Sequence, residues 1–79
     1  FDIAINPNGE MFSIINGQLC SVNTTNASTT VIGFVGGLNS LTFDANGVMY
    51  SVDGTSLVTV DVNDASKTVV GELGVSSMG

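Results

Sequence analysis

Apolar positions along this chain come in short runs with the texture of strands, not at helical spacing. Ile3-Ala4-Ile5, Met11-Phe12-Ser13-Ile14-Ile15, Leu19-Cys20-Ser21-Val22 and Val31-Ile32-Gly33-Phe34-Val35 are rich in β-branched and aromatic residues. Asn, Asp, Gly and Ser fill the gaps between them. No window keeps apolar residues three and four apart for long enough to make a helix. The pattern predicts strands over 2–6, 10–15, 18–23 and 29–35, then over 40–44, 48–53, 56–62 and 67–73.

The gaps carry turn chemistry. Asn6-Pro7-Asn8-Gly9 sets proline where a fixed φ opens a turn and glycine where φ must be positive. Asp44-Ala45-Asn46-Gly47 does the same without the proline, and Asn16-Gly17 and Asp53-Gly54 read as two-residue hairpins. The segments 23–28 and 63–66 close each third run onto the fourth. Short connections of this kind predict antiparallel meanders.

The second half of the chain repeats the first. Ile3 falls on Leu41, thirty-eight residues on, and the register then holds without a gap to Gly36 on Gly74. Along it Asn8-Gly9 meets Asn46-Gly47, Met11 meets Met49, Phe12 meets Tyr50, Ser13 meets Ser51, and Ala27-Ser28 meets Ala65-Ser66. An internal period of this length marks a repeat architecture. The runs do not alternate strictly. Ile14-Ile15, Leu57-Val58 and Val69-Val70 put apolar groups on both faces, as strands covered on both sides do. The expected fold is all-β: two tandem four-stranded antiparallel sheets, the first repeat over 1–37 and the second, with a tail leading into a next unit, over 38–79.

A resemblance sharpens this expectation. Leu-x-Phe-Asp-x-Asn-Gly-x-Met-Tyr-Ser-Val-Asp at 41–53, Leu-Val-Thr-Val-Asp-Val at 57–62 and Lys-Thr-Val-Val-Gly-Glu-Leu-Gly at 67–74 resemble the blades of secreted and surface bacterial β-propellers of the NHL/YVTN type. The likeness covers essentially the whole chain, once per repeat. It implies that each repeat is one propeller blade, and it implies no activity, because such blades serve enzymes, lectins, sensors and scaffolds alike. Propellers usually have four to eight blades, and two repeats fall short of a ring. The resemblance therefore implies completion by identical chains or by blades of a longer parent chain. The chain begins at Phe1, with no signal-peptide pattern, and its last five residues hold the place that 37–41 hold before the second repeat. That fits a processed product or a piece of something larger.

Composition narrows the functions. A chain of 79 residues with one cysteine has no intrachain disulfide to staple a small core. With no histidine, a zinc site or a histidine-activated nucleophile is not expected. Seven acidic residues face one lysine, for a net charge of −6. Such a chain has no footprint for nucleic-acid phosphates or an anionic membrane surface. No apolar run is long enough to span a bilayer as a helix. Solubility rests on Ser, Thr, Asn and Gly, a texture that suits an extracellular or cell-surface protein. Asn23-Thr24-Thr25 and Asn26-Ala27-Ser28 match the N-glycosylation pattern, but ordinary turn chemistry accounts for both.

No catalytic, metal-binding or cofactor-binding set emerges. Asp44-Ala45-Asn46-Gly47 lacks the closing glutamate of a calcium loop, and Cys20 lies within a strand run as a small hydrophobe. The propeller resemblance implies ligand contacts at the hairpin end of the sheets, on Asn16, Gln18, Asn39, Asp53 and Thr55, for a small molecule or glycan. The expected function is a non-catalytic scaffold or binding module. The alternative is a self-assembling extracellular fibre subunit, suggested by the uncharged, proline-free run Thr29-Thr30-Val31-Ile32-Gly33-Phe34-Val35.

Overall fold

The computed structural model describes residues 2–74. Expectations that fall on Phe1 and on 75–79, including the tail toward a further unit, lie outside the described residues. Within them the chain forms β1 (Ile3–Ile5), β2 (Met11–Ile15), β3 (Gln18–Val22), β4 (Thr29–Phe34), β5 (Asn39–Phe43), β6 (Met49–Asp53), β7 (Ser56–Val60) and β8 (Lys67–Glu72), with no helix among the described residues. The strands make two four-stranded antiparallel sheets, β1-β2-β3-β4 and β5-β6-β7-β8, each a simple meander.

Strand limits follow from the turns. β1 stops at Ile5 because the Asn6 side chain accepts hydrogen bonds from the amides of Asn8 and Glu10, which folds the backbone into a turn completed by Gly9 at φ +85°. Asp44 repeats the device toward Asn46 and Val48. The first hairpin turns on Asn16 and Gly17, both at positive φ, the requirement of a type I′ turn. The second turns on Gly54-Thr55, with Asp53 still paired to Ser56. The expected Asp53-Gly54 turn is thus displaced by one residue, and glycine takes the first central position, where φ is +63°.

The loops at 23–28 and 61–66 are the same structure twice. Asn23 and Asp61 each donate their amide to the carbonyl of Ser28 or Ser66 at 2.8 Å, and accept the amide of Ala27 or Ala65 at 2.7 Å. Side-chain oxygens of Asn23, Asn26, Asp61 and Asp64 receive further backbone amides. Both asparagines of the glycosylation pattern therefore have turn roles. Ala27 and Ala65 sit at φ +63° and +65°, a region an alanine rarely enters.

The sheets pack face to face. Direct cross-strand partners share a face, so the register places Phe12, Ile14, Leu19 and Gly33 on one side of the first sheet. It places Phe43, Met49 and Val60 together with Leu41, Ser51 and Val58 on one side of the second. These two sides make the core, joined by Ile32, Val35, Leu38 and Ala65. The Phe12 and Phe43 rings lie 5.7 Å apart across the seam, tilted by 49°, the arrangement aromatic pairs favour. Gly33 is needed there, since a Cβ on it would stand 2.8 Å from the Ala65 Cβ. A bulge between β3 and β4, matched by one between β7 and β8, turns Ile32 into this core.

Candidate functional site

The five residues expected to contact a ligand all lie at the hairpin end. Two linked groups form there. In the first, the carbonyl of Gly17 accepts the amides of Val35 and Gly36 at 2.8 and 3.0 Å. The Val35 carbonyl accepts the Lys67 ammonium at 2.9 Å, and Lys67 also meets Asp53 Oδ2 at 3.0 Å. Asn16 lies in the adjoining turn and Gln18 pairs with Phe34. The Phe34 ring leans over Gly17, 3.0 Å from where a Cβ would stand, and is 75% exposed. One contiguous surface thus holds Gln18, Phe34, Lys67 and Asp53. An exposed aromatic face beside an ion pair can stack a flat or sugar-like surface and hydrogen-bond its polar rim.

The second group belongs to the other hairpin. Thr55 donates its hydroxyl to Glu72 Oε1 at 2.8 Å, and the Ser56 hydroxyl donates to Glu72 Oε2. These two donors, Ser56 first, hold the Glu72 carboxyl below its ordinary value of 4.5. Asn39 opens β5 opposite Val52, with its carbonyl accepting the Ser51 hydroxyl at 3.1 Å. Asn16, Gln18 and Asp53 therefore approach one patch, whereas Thr55 belongs to the Glu72 cluster and Asn39 to the start of the second sheet.

The opposite end carries two open hollows of about 380 and 300 Å³. Met49, Val60 and Asp61 line the larger, and Met11, Val22 and Asn23, their repeat mates, line the smaller. At this end the amide of Ser66, then its hydroxyl, lowers the Asp64 carboxyl from 3.8. Among the described residues no three of Cys, Asp and Glu gather to hold a metal ion. Cys20 is buried, its thiol directed to the Gln18 carbonyl at 3.6 Å.

Sequence reasoning passed over Lys67, Phe34 and Glu72. A usable signal was present in the departures from the repeat. Lys67 stands where the first repeat has Thr29, Glu72 where it has Phe34, and Asp53 where it has Ile15. A residue that breaks an otherwise matching pattern answers to something its repeat mate does not meet. Compared with protein-family models, curated proteins and solved structures, the chain matches none.

Proposed function

We propose that this chain is a non-catalytic scaffold, its sheets two consecutive β-propeller blades that work by stacking on further sheets of the same kind. The observation that carries this reading is an asymmetry of exposure between repeat mates. Val35 is 1% exposed in the seam, while its mate Leu73 is 46% exposed. Leu41 and Phe43 pack on the core, while their mates Ile3 and Ile5 are 54% and 56% exposed. Ile32 is half-buried and its mate Val70 is 57% exposed. Each of these outward apolar groups occupies a position that the other repeat buries. Contiguous apolar surface of this kind marks an interface, and stacked repeats hide such faces against their neighbours.

Light scattering on the purified chain tests the reading. The expected particle contains about two to four chains, the number that brings the sheets into the usual propeller range. A folded single chain at every concentration overturns it. The surface around Phe34, Lys67 and Asp53 is where such a scaffold would take a small-molecule or glycan ligand. A second reading, an extracellular fibre subunit, draws on β4: Thr29, Thr30, Val31 and Phe34 of this edge strand are all exposed and uncharged. Exposed, uncharged edge strands template further pairing. Electron micrographs free of filaments at high concentration would dispose of the fibre.

A further inference from the structure

The seam between the two sheets is a template for a contact between molecules. We infer that the outer face of the second sheet docks onto the outer face of the first sheet of another copy, head to tail, with Ala27 of one molecule seated against Gly71 of the next. This rests on the scaffold reading above and adds the partner, the faces and their register.

The argument begins at Gly33. Its missing side chain leaves a notch that Ala65 fills: a Cβ there would clash at 2.8 Å with the Ala65 Cβ and approach the Asp64 carbonyl at 3.2 Å. Ala65 is 6% exposed. The repeat contains a second notch and a second knob. Gly71 is the mate of Gly33, and nothing lies within 4 Å of where its Cβ would be. Ala27 is the mate of Ala65, held by the same pair of backbone hydrogen bonds at the same positive φ, yet exposed. An empty notch and an unseated knob thus sit on opposite outer faces of one molecule, each in the geometry the seam uses.

The rest of the two faces agrees. Tyr50 on the outer side of the second sheet is the mate of Phe12, and Ile5 on the outer side of the first is the mate of Phe43. Docking in the seam's register brings Tyr50 against Ile5, as Phe12 meets Phe43 inside the chain. The outer face of the first sheet also leaves open what the seam covers. Where Leu41 and Phe43 of the second sheet pack on the core, their mates Ile3 and Ile5 on the outer side of the first are 54% and 56% exposed. Cover by another molecule accounts for apolar side chains left exposed at positions the seam covers. The two docking surfaces differ, so the contact is heterologous; it closes a ring if its rotation permits and otherwise propagates.

Two variants separate the faces. Gly71→Val fills the notch with a residue that suits a strand, and its Cβ has no atom of the chain within 4 Å. Ile5→Lys charges the opposite face at an exposed position. Sedimentation and the fluorescence of Tyr50, the sole tyrosine in a chain without tryptophan, follow association. The expected result is that each variant alone associates at least tenfold more weakly than the parent chain. An equimolar mixture forms a two-chain particle that grows no further, through the unaltered Tyr50 face of Ile5→Lys and the unaltered Ile5 face of Gly71→Val. Variants that associate like the parent overturn the head-to-tail register while the scaffold reading stands. A parent chain that stays single and folded overturns both. Circular dichroism and thermal melts of each variant check that lost association is not lost folding.

Discussion

Gly33 and Gly71 hold equivalent strand positions, but only Gly33 faces an occupied notch. Gly33→Ala forces the Ala65 loop and β4 apart, an overpacking change that costs about 1–3 kcal/mol. Gly71→Ala meets open space in the dissociated chain and removes a flexible residue from a strand, so it is neutral or stabilises by up to about 1 kcal/mol. Urea titrations of the two variants under dissociating conditions check the difference; equal effects would contradict the seam geometry. Ser13 and Ser51 show a second use of small residues, each on the second strand of its sheet. Both are nearly fully buried. Ser13 donates to the Asp2 carbonyl at 2.7 Å, and Ser51 to the carbonyls of Asn39 and Ser40. The matching serines fasten each first strand to its second strand, where a hydroxyl left unpaired would carry a desolvation penalty. Asp2 also reaches the second sheet, accepting the Ser40 amide at 2.7 Å.

At the scale of elements, the last pair of strands carries a pH dependence. Glu72 on β8 accepts the hydroxyls of Thr55 and Ser56 across the hairpin, which lowers its pKa below 4.5. A carboxyl depressed by folding contributes stability above its unfolded value and loses that contribution as pH falls through the folded one. The stability difference between the parent chain and Glu72→Gln is therefore largest above about pH 4.5 and shrinks as the solution is acidified through the lowered value. Chemical denaturation across pH 3 to 7 reads this directly, and a difference that grows on acidification contradicts it. All eight strands were legible from composition and turn residues, because each run carries its own β-formers and each gap its own turn chemistry. Their ends were less so: β7 closes at Val60, two residues early, because Asp61 already accepts the amides that open the next loop. The bulges and the positive φ of Ala27, Ser40 and Ala65 left no trace in the pattern, since they answer to neighbouring strands and sheets. The candidate site divides in the same way. Its end of the molecule followed from the hairpins. The link through Lys67 depends on how one sheet lies against the other, which no single run encodes.

For the molecule as a whole, charge opposes assembly and apolar surface favours it. Each chain carries a net charge of −6, so like copies repel at low ionic strength. The docking faces inferred above lack the Lys67–Asp53 pair of the internal seam. Added salt therefore screens repulsion without loosening an ion pair at the contact, and the Debye length falls to about 8 Å near physiological strength. Self-association strengthens from low salt to about 0.3 M sodium chloride, as sedimentation will show; weakening would mean that attraction between charges holds the copies together. Lys67 has a further consequence. The chain's only lysine bridges its two halves, gripping Val35 on one side and Asp53 on the other. An acylating reagent read out at this side chain by mass spectrometry thus serves as a gauge of parting. Modification proceeds slowly while the halves stay closed and accelerates severalfold whenever they swing open, so breathing of the molecule can be timed without introducing a label.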